Sequence, residues 1–513
     1  MKKVIVIGAG PAGLTAAYEL SKNPQYQVHV LETDGVAGGI SRTVAVQNNR
    51  MDLGGHRFFS KEERVQKWWF SLFGVQGKPS LDDKLLGRKS VLEPGGKDPE
   101  TEDHLFLVRN RISRIYYNKH FFDYPLSPSF ATFYNLGFFT LLQAGFSYLK
   151  ACIFPLPETS LENFYINRFG RKLYAMFFEG YTEKLWGRHP REIAADWGKQ
   201  RVKGVSILAL MKDVFQRVLG TKPKQVETSL IASFYYPKYG PGQLWTYVAD
   251  QIKAQGGKVE FDKEVVGFKQ QGNRLTHVVC TDGTELEADI VISSMPLKAL
   301  LQGLPSATQQ VKDIAFHLPY RDFVTVGLLV DKLALTNNTS VPTFNGNIPD
   351  CWIYVQDTNV KMGRIQIFNN WSPYMVEDCQ HTVWLGLEYF CNEGDDFWNL
   401  SEEACKAQAI AELKKIGFIT DETKLLASHR ERVKKAYPAY FDTYKELPCV
   451  IRYLDTIENL YCVGRNGQHR YNNMDHSMMT AFETVDAILS GKKDKQAIWA
   501  VNTEAVYHEE KSA

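Results

Sequence analysis

The chain has 513 residues, 44% hydrophobic, 13% aromatic and 23% charged, a composition that supplies a large buried core and excludes disordered, collagen-like and membrane-bundle classes. Sixty Lys and Arg against 58 Asp and Glu leave a net charge of +2, which gives no electrostatic reason to expect a nucleic-acid partner. Eight cysteines are scattered without CxxC or metal-ligand spacing, so reduced thiols, a cytoplasmic location and no metal site are expected.

At the N-terminus, Met1-Lys2-Lys3 and the apolar run Val4–Ile7 could open a signal peptide, but Gly8-Ala9-Gly10-Pro11-Ala12-Gly13 cuts the run short and no export signal is expected. The pattern predicts a strand over Lys3–Ile7, a helix over Pro11–Ser21 and a strand over Gln27–Glu32. In this βαβ opening Gly8 permits the tight turn, Gly10 lets backbone approach a pyrophosphate, and Gly13 lets helix and strand pack closely. Glu32 closes the second strand, where a carboxylate can accept from a ribose hydroxyl. Gly38-Gly39 and Gly54-Gly55-His56 then offer further places for backbone to pass a flat cofactor, which favours FAD over NAD.

Residues from Glu62 to about Glu227 read as a mainly helical, aromatic-rich insertion, and Gly77–Asp103 as an exposed polar loop. Within the insertion, Tyr124–Leu149 carries no charge and is long enough for a bilayer. Pro125, Ser127, Pro128, Ser129, Asn135 and Gln143 favour instead a buried helix starting after the prolines, with peripheral membrane docking as the alternative.

Further on, Lys258–Phe261, Val265–Lys269, Arg274–Cys280 and Glu285–Asp289 alternate with turns and predict hairpin strands, and Asp289–Ser294 a buried strand. Leu300–Pro448 carries strand-like alternation at Phe323–Val330 and Thr382–Tyr389. Asn459–Val463 predicts a strand, Gly464-Arg465 a turn, and Ser477–Ser490 an amphipathic helix. The expected partition is a cofactor lobe in three pieces, 1–61, 228–299 and 449–492, interrupted by the helical insertion 62–227 and a sheet domain 300–448, with a tail at 493–513.

No nucleophile elbow, zinc signature or Walker loop is present, so the chemistry falls to a bound flavin, with protein groups positioning the substrate. Three segments are dense in suitable groups: Gly180–Arg188; Cys351–Tyr354 with Gly363–Asn370; and Gly464-Arg465 with Arg470–Ser477. Arginine forks and tyrosine hydroxyls converging from separate segments suit a diphosphate, although singly Trp186, His476 or one arginine would read as ordinary core or surface residues.

Together with Gly54–Ser60, Arg111–Leu126, Asn370–Tyr374 and Ala436-Tyr437-Pro438, these segments make the sequence resemble the UDP-galactopyranose mutase family, flavoenzymes that interconvert pyranose and furanose forms of a nucleotide sugar. The resemblance implies an α/β, discontinuous Rossmann-like fold with two dinucleotide-binding domains, a helical insertion and a mixed-sheet substrate domain. It implies that Arg188 and Arg364 clamp the substrate diphosphate, that Tyr437 and Tyr471 donate to it, that Tyr354 lies nearby, and that the His56 backbone faces the flavin N5 edge. The cofactor set becomes Gly8, Gly10, Gly13, Glu32, Gly39, Gly55, His56, Val265, Gly464, Arg465, Asn473, Met474 and Ser477. The implied chemistry is attack by N5 of reduced FAD on the anomeric carbon of a UDP-sugar, without net oxidation, for cell-surface polysaccharide synthesis. NAD(P)H or a reductase would be the reductant, and a homo-oligomer is allowed. Arg57 replaces the family's usual aliphatic residue, which implies an acidic or differently substituted sugar. The alternative is an FAD-dependent oxidoreductase of the protoporphyrinogen oxidase, desaturase or amine oxidase type, acting on an apolar or amine substrate.

Overall fold

The structure is a computed structural model, and its described residues are all except 125, 127–129, 196–197, 199–232 and 503–513. Part of the helical insertion and most of the C-terminal tail therefore lie outside the described residues.

Five parallel strands form the first sheet, in the order Lys258–Glu260, Tyr26–Leu31, Lys2–Ile7, Ile290–Ser293, Leu460–Cys462. Parallel strands covered on both faces read as unbroken apolar runs, and Val4 to Ile7 and Ile290 to Ile292 are buried accordingly. The opening helix Pro11–Ser21 and the helix Met474–Ser490 cover one face through Leu14, Ala17, Met478 and Phe482. On the other face lies the antiparallel meander Val265–Gln271, Arg274–Cys280, Glu285–Glu287, with Leu297–Gly303 and Leu447–Asp455. The expected βαβ opening, the returning strand and the C-terminal strand and helix are thus all present.

Lys258–Phe261 is a correction. Rather than joining a hairpin, Lys258–Glu260 is the edge of the parallel sheet, pairing Lys258 with His29. The helix Pro241–Ala254 and a turn through Gly256, at φ 87°, return the chain to that edge, and short alternation alone does not distinguish the two pairings. Likewise, Gly464–Gly467 forms one helical turn rather than a bare turn.

A second, seven-stranded sheet runs Leu425–Pro438, Tyr320–Val330, Val383–Cys391, Arg364–Ile367, Trp352–Val355, Ser113–Tyr117, His120–Asp123. Its pairs are antiparallel except Trp352–Val355 with Ser113–Tyr117. Period-2 alternation gives it two faces. Val324, Val326, Ile353, Ile365, Leu385 and Leu387 enter an apolar cluster with Cys405, Ala409 and Leu413 of the helix Glu402–Ile416. Phe323, Thr325, Trp352, Tyr354, Arg364, Gln366 and Glu388, at the intervening positions, look the other way.

Leu105–Asn110 pairs with Ser233–Pro237, a departure from the helical reading of the insertion, whereas Ser113–Asp123 supplies two strands of the large sheet, the strand pair that the family resemblance implies over Arg111–Leu126. Gly77–Asp103 is also more than an exposed loop. It contains the helix Leu81–Leu86, and buried Asp82 bonds Arg109 at 2.6 Å and Arg88 at 2.8 Å, so cations from outside the helix make the burial tolerable. The uncharged segment departs furthest from expectation. Its helix Phe138–Ile153 buries Ala144, Tyr148 and Ala151 but leaves Phe138, Phe139, Phe146 and Ile153 about as exposed as residues in an open loop. Among the described residues no helix is long and apolar enough to cross a membrane.

Candidate functional site

The first half of the site is a glycine cradle at the N-terminus of the opening helix. Gly8 has φ 102°, and a Cβ there would meet Ser294 Oγ at 2.1 Å, while a Cβ on Gly13 would lie 1.9 Å from the Gly8 carbonyl oxygen. A Cβ on Gly39 would lie 3.3 Å from Gly10 Cα, and one on Gly464, at φ 75°, 2.8 Å from Ala12 Cβ. Four stretches of backbone therefore converge where no side chain fits. No side chain caps the helix, so its N-terminal N–H groups are left to an anion.

Glu32 stands beside this turn. Its Oε2 accepts from Ala9 N at 2.6 Å and its Oε1 from Asp34 N at 3.0 Å. Burial raises the pKa of this carboxyl, and the two N–H donors oppose the rise. The Glu32 carbonyl accepts from Lys263 N at 2.7 Å, which brings the strand starting at Val265 alongside, with Val265 itself in the apolar layer with Ile5 and Leu31.

On the far side, Asn473 caps the helix Met474–Ser490 in a reciprocal box with His476, and Met474 and Ser477 are buried in its first turn. Arg465 is fixed by Nε to the Asn472 carbonyl at 2.8 Å and Nη1 to the Ala436 carbonyl at 2.7 Å, with its guanidinium 4.9 Å from the Tyr471 ring centre. Neutral turns, an open helix terminus, an acid at the second strand and a capped helix aimed back at the cradle fit a dinucleotide with a flat ring system.

The second half is the polar face of the large sheet. Arg364 is 8% exposed and lies beneath the rings of Trp352 at 5.0 Å and Phe390 at 4.9 Å. Its Nε donates to Tyr181 Oη at 2.9 Å and its Nη1 to Tyr437 Oη at 3.0 Å and Glu388 Oε2 at 3.1 Å. Burial works against the charge, yet Tyr181, Tyr437 and Glu388 more than offset it, so Arg364 stays a guanidinium. Gln366 Nε2 donates to Glu388 Oε1 at 3.1 Å. Tyr437 stacks on Tyr471 with centroids 5.6 Å apart and planes 18° from parallel, and Tyr354 packs against Tyr124 at 4.4 Å and Tyr181 at 5.9 Å.

The Gly-Gly-His loop joins the halves. A Cβ on Gly55 would sit 1.8 Å from the Trp352 ring, and the Cβ position of Gly54 is ringed by His56 Cε1 at 3.6 Å, Glu388 Oε1 at 3.8 Å and Phe323 at 3.9 Å. His56 Nδ1 lies 3.1 Å from the Gly54 carbonyl oxygen, and the ring stays neutral because burial, and then the positive Arg465, lower its pKa to about 4. Since a neutral imidazole facing a carbonyl carries its proton there, Nδ1–H is the donor.

Three buried polar atoms on this face have no partner: Trp352 Nε1, Gln366 Oε1 and Thr325 Oγ1. They sit on adjoining strands, Trp352 opposite Gln366 and Thr325 opposite Glu388. Buried orphans are costly unless a ligand or water completes them.

The structure thus brings Arg364, Tyr437, Tyr471 and Tyr354 into one network, with His56 beside it in the Gly-Gly-His loop. Arg188 is tied differently. It follows the helix Gly180–Trp186, and its fork closes on Asp442 at 2.9 and 2.6 Å over the Phe441 ring, with the side chain 36% exposed. It reaches the cluster through Trp186, whose ring lies 5.9 Å from Phe441 and 6.4 Å from Tyr471. Glu388 and Gln366 were missed from the sequence. The signal was there: Glu388 is the one charged residue of the apolar strand Val383–Cys391, and Gln366 stands two positions from Arg364 on the same face of a strand whose other residues are isoleucines. Among the described residues no group of His, Cys, Asp and Glu could hold a metal ion.

The family described as flavin-containing amine oxidoreductase matches residues 11–489. A crystal structure of reduced UDP-galactopyranose mutase superposes with a TM-score of 0.75 at 21% identity, covering 99% of this chain and 100% of that one. A putative protoporphyrinogen oxidase from Exiguobacterium sp. 255-15 gives 0.63 at 14% identity over 96% and 99% of the two chains. Among curated proteins, L-amino acid oxidase Cdc18 of Crotalus durissus cumanensis is 30% identical over 131 residues, 25% of this chain. The match spans 22% of that relative's length. At these identities the structural likenesses are likenesses of fold.

Proposed function

The chain belongs to the flavin-containing amine oxidoreductase family and is an FAD-dependent enzyme, and from that premise we propose that it is a mutase interconverting the pyranose and furanose forms of a UDP-sugar. Gly8, Gly10, Gly13 and Gly39 would hold the FAD pyrophosphate at the helix terminus, with Glu32 on the ribose and Val265 alongside. Gly55, His56, Gly464, Arg465, Asn473, Met474 and Ser477 would border the ribityl and ring portions. When bound and reduced, flavin supplies a nucleophilic nitrogen suited to an anomeric carbon.

The observation that carries the reading is Arg364, a buried, permanently charged guanidinium held by two tyrosine hydroxyls and by Glu388, on a face where Trp352 Nε1, Gln366 Oε1 and Thr325 Oγ1 lack partners. A wall built for an apolar or amine substrate has no use for a buried cation, whereas a departing diphosphate develops negative charge that a preorganised guanidinium stabilises. Burial raises the pKa of Tyr181 and Tyr437, so both remain protonated donors at neutral pH. The orphaned Trp352 Nε1, Gln366 Oε1 and Thr325 Oγ1 suit sugar hydroxyls. Arg188 would provide the second half of the clamp by exchanging Asp442 for a phosphate, an inexpensive exchange because so exposed an ion pair is weak. The reductant would be NAD(P)H or a reductase, and the product would feed cell-surface polysaccharide synthesis.

Anaerobic incubation of the dithionite-reduced protein with a panel of UDP-sugars tests the proposal. It predicts a furanose product without hydrogen peroxide or oxygen uptake. Peroxide production from an amine or apolar substrate, with no sugar converted, would favour the oxidase reading instead.

A further inference from the structure

The helix Phe138–Ile153 follows Phe130–Leu136 across a break at Gly137, whose φ is 75°. At about 100° per residue, Phe138, Leu142, Leu149, Ile153, Phe146 and Phe139 fall within one arc of about 100°. They are 69, 44, 57, 67, 71 and 79% exposed in that order. Ala144, Tyr148 and Ala151, on the opposite side, are the residues that pack on the protein. Tyr134, 78% exposed, and Phe154, 69% exposed, extend the patch at its two ends. A helix whose apolar arc is left uncovered is not a core helix, and a contiguous patch of this kind marks an interaction surface.

Charge identifies the occupant. No Asp or Glu lies between Asp123 and Glu158, and the one ionised residue in that stretch is Lys150, at the margin of the apolar arc. Arg171 and Lys172 stand beside the middle of this helix, where Lys172 N donates to Ser147 Oγ at 3.0 Å and Gly170 packs against the Tyr148 backbone. Lys172 also lines a cavity of about 230 Å³ between the helix pair and the Ser113–Asp123 hairpin, together with His120, Asn118, Tyr117, Asn135 and Thr140. Exposed Lys119 lies at the tip of that hairpin. The acids nearby lie off the helix, Glu162 against Arg171 at 3.7 Å and Asp357 on the Asn118 N–H, so the helix itself presents phenylalanine-rich apolar surface whose one charge is Lys150, which complements the headgroup and acyl boundary of an anionic bilayer.

We propose that this helix pair docks the enzyme onto an anionic membrane surface, lying in the interface plane without crossing the bilayer. At about 1.5 Å per residue the longer helix offers about 24 Å of contact.

Flavin-loaded full-length protein is to be sedimented with vesicles of phosphatidylcholine alone and of phosphatidylcholine with about 30% phosphatidylglycerol. The proposal predicts pelleting with the anionic vesicles. Phe139→Ser/Phe146→Ser should lower the partition coefficient at least about tenfold at unchanged flavin absorbance and melting temperature, since both side chains are exposed. Lys150→Glu, an exposed position at the margin of the apolar arc, should lower it about fivefold or more on anionic vesicles and leave the neutral ones unchanged. A wild-type chain that stays in the supernatant with every vesicle overturns the proposal, as does a double variant that pellets like wild type. Light scattering without lipid checks the rival occupant: a wild-type dimer turned monomeric by Phe139→Ser/Phe146→Ser, without vesicle binding, makes the face an interface between copies and also overturns it.

Discussion

Replacing Arg364 with alanine removes one donor of charge stabilisation and leaves Glu388, which is fully buried, without its cation. The two effects have different sizes and readouts. Losing a preorganised donor to a developing oxyanion costs about 2.7–4 kcal/mol of transition-state stabilisation, so kcat should fall about 10² to 10³-fold. Breaking a buried ion pair from one side costs about 3–5 kcal/mol of stability, which should appear as a lower midpoint in chemical denaturation. The assay is anaerobic turnover of a UDP-sugar by reduced enzyme, normalised to flavin absorbance, because no Arg364 contact is made to the cradle. The double variant Arg364→Ala/Glu388→Gln then separates the roles. Neutralising Glu388 should recover stability while turnover stays low. If the double variant regains wild-type turnover, Arg364 serves only to neutralise Glu388, and the diphosphate reasoning is refuted.

Three more outcomes follow from the geometry. Gly13→Ala forces a Cβ to within 1.9 Å of the Gly8 carbonyl, so the purified chain should retain less than about a tenth of its flavin on gel filtration; full retention contradicts the cradle. His469, buried with its Nε2 on the Ala439 carbonyl, has its pKa lowered to about 4 from 6.5 by burial. The unfolded chain therefore binds more protons between those values, so the contribution is intact above pH 6.5 and declines as pH falls toward 4, by about 3 kcal/mol in all. Denaturation of wild type and His469→Gln at neutral and acid pH should show a shallower acid loss in the variant. Asp82 is held to a pKa of about 2 as Arg109 and Arg88 outweigh its burial, so Asp82→Asn, which leaves the two cations only the more distant Asp83, should cost up to about 3–5 kcal/mol near pH 7. A melting temperature unchanged within error would mean that this network is incidental.

Local sterics made the cradle legible from the sequence. Gly8, Gly10 and Gly13 admit few geometries between a strand and a helix, and Pro11–Ser21 has the bounds that their spacing implies. What sequence pattern could not supply was the identity of partners. Alternation in Lys258–Glu260 is the same whether the neighbour is a hairpin strand or Tyr26–Leu31. The polar character of Gly77–Asp103 concealed Asp82, whose burial depends on Arg109 from another strand. An apolar run such as Phe138–Ile153 reads as core because periodicity records hydrophobicity and not what covers it. The site divides similarly. The motif-bearing Arg364, Tyr437 and Tyr471 come together, whereas Asp442, the partner of Arg188, and Glu388, the partner of Arg364, became visible only through strand register and chain return.

The account depends on the Arg364 network being a diphosphate site, and titration of the flavin-loaded protein with UDP and with uridine, followed by flavin absorbance under anaerobic conditions, tests that most directly. It predicts saturable perturbation by UDP and binding at least about a hundredfold weaker for uridine, which offers the guanidinium no charge. Equal affinity for the two ligands, or none for either, would contradict it.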